Sequence, residues 1–187
     1  MAKFALDAVT DETFFDAATH TMRYDIDLDV EADLVWRGLV ADKPLVWCRT
    51  LDGEYTCDRP FGIGTTRRVK VAAALVLHER FFFWGEAARR HAFFVEAANL
   101  PIFRSFAEGY SVVSTPNGCR FTWRFAFEPR PRMRLPLAVS QPLNRKVLFD
   151  GFIRDHSPFR AMTSTTQPPA IPLTPTLSSA VQRSTHP

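Results

Sequence analysis

Cysteine is scarce in this sequence and occurs in no pair at a spacing that binds a metal or forms a redox motif. The 187 residues include three cysteines, Cys48, Cys57 and Cys119, which are widely separated. Three cysteines with no CxxC pair and no histidine nearby at ligand spacing argue against a disulfide framework and against a structural zinc site. The five histidines also share no metal-ligand spacing. We therefore expect buried, reduced thiols, no metal site and no cofactor.

Long apolar runs are also missing. No stretch of about 18 apolar residues occurs, which argues against a membrane span. The N-terminal segment MAKFALDAVTDETFF carries acidic side chains and lacks the apolar core of a signal peptide. We therefore expect a cytoplasmic protein.

The charge balance gives no sign of nucleic-acid binding. The formal net charge is +3 and the isoelectric point is near 9.0. Basic residues are dispersed, whereas nucleic-acid binding needs them concentrated on one face. The densest basic cluster is Arg120, Arg124, Arg130, Arg132 and Arg134. This cluster combines strand alternation with a Pro-rich turn, so we interpret it as an ordinary solvated face.

Familiar catalytic signatures are absent as well. The segment PFGIGT, residues 60–65, has two glycines but matches neither a P-loop nor a dinucleotide-binding fingerprint. We interpret it as a turn. No serine lies in a nucleophile elbow.

Aromatic residues, in contrast, are abundant. Phenylalanine alone occurs 17 times, and large rings line cavities as readily as they fill them. Between Leu75 and Glu128 the segments LVLHERFFFW, HAFFVEA, FAEGYSVV and CRFTWRFAF have strand character and are separated by turn-like breaks. The tetrapeptide TPNG, residues 115–118, has the chemistry of a tight hairpin. These segments predict one antiparallel sheet whose bulky face must be covered.

Shorter elements precede this sheet. We interpret residues 1–19 as an N-terminal extension with a short amphipathic piece at 10–18. Residues 21–30 alternate apolar and polar side chains, which predicts a half-buried strand. Residues 31–41 have helical spacing, and residues 45–47 predict a second brief helix after Pro44.

The remaining chain divides into two strands, a long helix and a tail. Residues 51–57 and 66–72 predict strands. Residues 134–156 return to helical spacing, with an interruption at Pro142 that predicts a kink. Residues 157–187 are rich in Ser, Thr and Pro and contain no acidic residue, which predicts a disordered tail.

At PFGIGTTRRV, LHERFFFW, FAEGY and TPNGCRFTWRFAFEPRP the sequence resembles an actinobacterial branch of the SRPBCC superfamily, which includes START-like and polyketide cyclase/dehydrase-like proteins. The resemblance covers roughly residues 20–156. It implies an α+β helix-grip fold, in which a curved antiparallel sheet of six to seven strands surrounds a long C-terminal helix. Two short helices follow the first strand. It also implies a deep hydrophobic cavity. Members bind lipids, polyketides, steroids or plant hormones, and some are enzymes.

Strand alternation places polar side chains on the aromatic face. Glu108 shares a face with Phe106 and Tyr110, and His91 shares one with Phe93. The orientation of the segment LHERFFFW is ambiguous. If Phe82 and Trp84 point toward the aromatic face, then Arg80 points toward it as well. The predicted ligand-binding residues are Trp47, Arg67, Arg80, Phe82, Trp84, His91, Phe93, Phe106, Glu108, Tyr110, Trp123 and Phe125.

The polar group among these residues has three interpretations. It is a structural Arg–Glu pair, a set of groups that orients a ligand, or an acid–base site on Glu108 with His91 and an arginine. Three functions stay open. The chain could be a module that binds or carries an apolar small molecule, a protein-interaction module with a filled pocket, or a cyclase or dehydratase acting on a carbonyl-rich substrate. Catalytic residues and oligomeric state stay unassigned.

Overall fold

The computed structural model describes residues 3–46, 48, 51–71 and 74–133. One antiparallel sheet dominates this part of the chain. Its strands are β1 (Phe4–Ala5), β2 (His20–Leu28), β3 (Leu51–Tyr55), β4 (Thr66–Val71), β5 (Leu75–Gly85), β6 (Arg90–Ala98), β7 (Phe103–Thr115) and β8 (Gly118–Pro129). Two α-helices, α1 (Phe14–Ala17) and α2 (Ala32–Leu39), and a 3-10 turn at Pro131–Met133 complete the described elements.

The sheet follows the order β2-β8-β7-β6-β5-β4-β3, and β1 adds to β6 beside this path. It curls into a half-barrel, as in the helix-grip fold that the sequence predicts. The four aromatic segments form the consecutive strands β5 to β8. The predicted C-terminal helix at 134–156 and the predicted tail at 157–187 lie outside the described residues.

Two apolar clusters cover the two faces of the sheet. The larger cluster lies on the concave face, where α2 packs through Val35, Trp36 and Leu39. The smaller cluster lies on the outer face, where Phe15 of α1 packs on alanines of β6 to β8. The close approach of α1 depends on small residues, because a Cβ at Gly109 would lie 3.1 Å from the Phe15 ring.

Strand β1 fills a gap that opens between β6 and β7. The paired residues of β6 and β7 run only from Arg90 to Phe94, and β1 pairs with Ala97 and Ala98 beyond that point. The Leu6 N–H then donates to the Glu96 carbonyl, and the Asp7 N–H donates to the Arg104 carbonyl. The N-terminal segment therefore takes part in the sheet.

Two local predictions are wrong. Residues 44–46 form a turn instead of a second short helix, because Pro44 is followed by Leu45 with φ of 67°. Buried thiols were expected throughout, and Cys48 and Cys119 are buried, but Cys57 is exposed. Cys57 lies after the end of β3 at the sheet edge, where its sulfur accepts a hydrogen bond from the Thr66 N–H.

The β7–β8 hairpin supplies a stability test. Gly118 has φ of 141°, and a Cβ there would lie 2.1 Å from the Leu28 carbonyl oxygen. We expect Gly118→Ala to lower the free energy of unfolding by at least about 2 kcal/mol in urea denaturation, from overpacking and backbone strain. Gly62→Ala is the control, since nothing lies within 4 Å of its added Cβ. Equal costs for both variants would contradict this account.

Candidate functional site

Four neighbouring strands each place one ionisable side chain on the concave face. Arg67 of β4, Glu79 of β5, His91 of β6 and Glu108 of β7 are all buried. Side chains alternate across a strand, so each of them is flanked two residues away by apolar side chains of the same cluster. The antiparallel register places Arg67 directly opposite Glu79. The sheet thus gathers a polar group inside an aromatic cluster.

Arg67 and Glu79 form a buried ion pair. The Arg67 Nε donates to Glu79 Oε2 at 2.6 Å, and their side chains are 0% and 2% exposed. The guanidinium carbon lies 4.4 Å from the ring centre of Phe93 and 5.2 Å from that of Phe81. The Nη1 and Nη2 atoms of Arg67 donate no hydrogen bond to any described residue. The pair therefore leaves buried donors unused, which is costly in a protein interior.

This ion pair is the charged centre of the site. Burial is the largest single influence and disfavours the guanidinium charge, but Glu79 together with Tyr110 and Tyr55 outweighs it and holds the pKa of Arg67 above its ordinary value. Burial raises the pKa of Glu79, and the contact with Arg67 opposes that rise. Arginine stays protonated in proteins. A neutral Glu79 would leave the buried charge of Arg67 uncompensated. The pair is therefore ionised.

Glu108 is a buried carboxylic acid. Its Oε2 accepts hydrogen bonds from Trp123 Nε1 at 2.8 Å and from the Tyr110 hydroxyl at 3.1 Å. Burial, followed by the nearby Glu79 charge, raises the pKa of Glu108 to about 8. The group is therefore mostly protonated at neutral pH. Both donors contact Oε2, which is consistent with a proton on Oε1.

His91 lies among rings and has no polar partner among the described residues. Its ring centre lies 4.9 Å from Phe81, 5.0 Å from Tyr110 and 5.2 Å from Trp84. Neither Nδ1 nor Nε2 has a hydrogen bond. Burial, and then the Arg67 charge, lowers the pKa of His91 well below its ordinary value. The imidazole is neutral and carries one donor and one acceptor nitrogen.

The inward orientations predicted for Arg80 and Phe82 are wrong. Arg80 lies on the outer face, where it pairs with Glu96 and donates to the Gly64 carbonyl. Phe82 packs in the outer cluster. The cause is a bulge between Phe81 and Phe83, which inserts one residue into β5 opposite β6. The alternation of inward and outward side chains is therefore interrupted at this bulge, so the inward orientation of Trp84 does not extend to Phe82 and Arg80.

The other predicted residues fall into two groups. Trp84 lies after the bulge, packs against the concave cluster and stacks on His91 as predicted. The aromatic residues on the later strands also belong to the concave cluster; these are Phe93, Phe106, Tyr110, Trp123 and Phe125. Trp47 lies outside the described residues. The role of all these residues in ligand binding stays a prediction.

Sequence reasoning missed Glu79, Phe81 and Trp36. Leu77, Glu79 and Phe81 alternate on one face of LHERFFFW, and a positive residue on the neighbouring strand could have identified Glu79 as a buried partner. Trp36 lies in the segment 31–41 with helical spacing, but its contact with His91, at 5.3 Å between ring centres, was not anticipated. The Glu86 carboxylate accepts hydrogen bonds from both Trp36 and Trp84. This carboxylate ties α2 to the start of the β5–β6 turn.

Two further properties of the described residues bear on the site. No three His, Cys, Asp or Glu side chains within residues 3–46, 48, 51–71 and 74–133 come together as metal ligands. Within the same ranges, no helix has the length and apolar character needed to span a membrane.

Sequence comparison finds relatives among mycobacterial proteins, whereas no family model matches the chain. The chain is 33% identical over 135 residues to uncharacterized protein Rv2574 of Mycobacterium tuberculosis. It is equally similar to uncharacterized protein Mb2604 of Mycobacterium bovis. Each alignment covers 70% of this chain and 79% of the relative.

Structure comparison finds the same architecture in several solved proteins. The Zhui aromatase/cyclase from Streptomyces sp. R1128 has a TM-score of 0.58 at 15% identity, covering 72% of this chain and 92% of that one. A START superfamily protein from Mycobacterium smegmatis has a TM-score of 0.56 at 11% identity, covering 72% and 95%. Ara h 8.0201 has a TM-score of 0.53 at 16% identity, covering 78% and 95%. At these identities the likeness concerns the fold alone.

Arg67 and Arg80 provide a matched test of the inner and outer faces. Arg67→Gln leaves Glu79 buried without its cation, so we expect a loss of about 3–5 kcal/mol in the free energy of unfolding. Arg80→Gln breaks a partly exposed pair and is expected to cost less than about 1 kcal/mol. Chemical denaturation measures both, and a larger cost for Arg80→Gln would refute the assignment of faces.

The raised pKa of Glu108 predicts a pH dependence of stability. Above pH ~4.3, where an unfolded glutamate ionises, the folded chain holds a proton that the unfolded chain has lost. The free energy of unfolding then falls by about 1.4 kcal/mol per pH unit on account of this group, until Glu108 ionises near pH 8. Glu108→Gln removes this slope, so its stability relative to the unsubstituted protein should rise between pH 5 and pH 8.

The measurement is urea denaturation of both proteins across that pH range, with Glu54→Gln as the control. Glu54 is exposed and pairs with Arg68 at the surface, so its substitution should change stability little. Parallel stability curves for Glu108→Gln and the unsubstituted protein would show that Glu108 is not protonated in the fold.

Proposed function

Because this chain belongs to the family of the mycobacterial protein Rv2574 and, by fold, to the SRPBCC superfamily, we propose that it binds an apolar small molecule on the concave face of its sheet. A lipid, polyketide or isoprenoid-like molecule has the required chemistry. The ligand would be held or carried against this face. The free cysteines are compatible with a reducing compartment, so we place this activity in the cytoplasm.

The aromatic concave face with its few buried polar groups is the observation that carries this proposal. Small-molecule sites are lined mainly by apolar and aromatic side chains, with a small number of convergent polar groups that fix orientation. Phe93, Phe106 and Phe125 supply such a lining, and Arg67, whose guanidinium lies over the Phe93 ring, has unused donors. A core that only needed to be filled would gain nothing from these unused donors.

Acid–base catalysis is the second candidate function, favoured by the chemistry of two residues. Glu108 has a pKa of about 8 and is mostly protonated at neutral pH, and the neutral His91 has an unpartnered nitrogen that could accept a proton. One solved protein of the same fold is an aromatase/cyclase by name. In this second candidate function, the present chain would act on a carbonyl-rich substrate. Unchanged turnover in the Glu108→Gln and His91→Ala variants would eliminate the catalytic hypothesis.

Native mass spectrometry of the full chain, purified from its own host, tests the binding proposal. We expect a discrete additional mass that disappears on denaturation and identifies the ligand class. Val95→Phe enlarges a fully buried concave side chain and should reduce the fraction of protein that carries this mass severalfold. Val113→Phe is the matched control, because Val113 is exposed and should leave the occupancy unchanged.

The absence of an additional mass would not alone decide the question, so a panel of lipids and polyketide mimics is added to the same protein. If none of them is retained or raises the melting temperature, the binding proposal fails. The protein-interaction function with a filled pocket then becomes the better explanation.

A further inference from the structure

We infer that the ligand presents a neutral carbonyl oxygen to Arg67, so that the site recognises a ketone, ester or similar group at the inner end of an apolar molecule. This inference rests on the proposed binding function and specifies its ligand. It follows from three properties of the buried polar group: its excess of donors, the position of these donors and its balance of charge.

Hydrogen-bond donors outnumber acceptors in this group. The guanidinium of Arg67 has five N–H bonds, and only the one on Nε reaches Glu79. The N–H bonds on Nη1 and Nη2 find no acceptor among the described residues. The neutral ring of His91 adds one more donor and a single acceptor. An oxygen with two lone pairs and no proton of its own is the complement of this set.

The unused donors lie in one place. Arg67 and His91 contact the same three rings, those of Phe81, Phe93 and Tyr110. The Tyr110 hydroxyl in turn donates to Glu108 Oε2. One ligand atom among these rings could therefore reach Arg67 and its neighbours together, while the rest of the ligand contacts aromatic surface.

The charge balance favours a neutral acceptor over a carboxylate. Arg67, the single buried cation among residues 3–46, 48, 51–71 and 74–133, is already compensated by the Glu79 carboxylate at 2.6 Å. Glu108 makes its hydrogen bonds as an acid, with neutral donors on Oε2. A ligand carboxylate would add a negative charge that no further buried cation of the described residues compensates, and uncompensated buried charge is disfavoured.

Matched ligands in which only the polar group changes provide the test. Calorimetric titration of the full chain would compare acetylnaphthalene with ethylnaphthalene, and methyl heptyl ketone with nonane. An apolar site binds the hydrocarbon of each pair more tightly, because the ketone must lose its hydration. The inferred site should bind at least one ketone at least about tenfold more tightly than its hydrocarbon partner, since Arg67 hydrogen-bonds to it. Naphthoate, the carboxylate of the series, should bind more weakly than acetylnaphthalene.

A double variant connects this preference to the buried pair. Arg67→Met together with Glu79→Leu removes both charges and keeps the interior apolar, a replacement that proteins often tolerate. The variant should still bind the hydrocarbons but lose the tenfold preference for the ketone. The control is Arg80→Gln together with Glu96→Gln, which removes an ion pair on the outer face and should keep the preference.

The outcomes distinguish a failure of the carbonyl inference from a failure of the proposed binding function. If the ketone and hydrocarbon of each pair bind equally, or naphthoate binds most tightly, the carbonyl inference is wrong while apolar binding stands. If no member of either pair binds, the proposed function itself fails for these ligand classes. The comparison in the unsubstituted protein decides the inference even if the double variant does not fold.

Discussion

The buried ion pair between Arg67 and Glu79 is the constraint on which the interior of this protein depends. It couples β4 to β5 at the centre of the aromatic face. Two charges in a low-dielectric interior must stay together, because either one alone costs several kcal/mol. The concave residues around the pair are therefore fixed in position by electrostatics as well as by packing.

The pair also determines the state of its neighbours. The Glu79 charge contributes to the high pKa of Glu108, and the Arg67 charge contributes to the low pKa of His91. Burial is the larger cause in both cases; Glu79 adds to the rise at Glu108, which Arg67 partly opposes, and Arg67 adds to the fall at His91. The site consequently combines one ionised pair with a neutral acid and a neutral imidazole, which is the condition for presenting donors to an uncharged ligand.

Much of this arrangement was predictable from the sequence. Alternation correctly placed Arg67, His91 and Glu108 on the aromatic face, because each lies on a regular strand whose period of two is unbroken. Arg80 and Phe82 were misassigned because alternation cannot show a bulge, which is specified by pairing between strands. The true partner of Arg67 was missed for a related reason: alternation makes Glu79 a candidate, but only the register of β4 against β5 places it opposite Arg67.

Strand β1 has a consequence for how the sheet is protected from other molecules. It covers backbone groups of β6 at Glu96, Ala97 and Ala98, beyond the point where β7 diverges. Without it, these groups would form an unpaired strand edge in the middle of the sheet, and such edges accept strands from other chains. Residues 4–7 thus protect β6 from pairing with strands of other molecules, and their loss would favour self-association through β6.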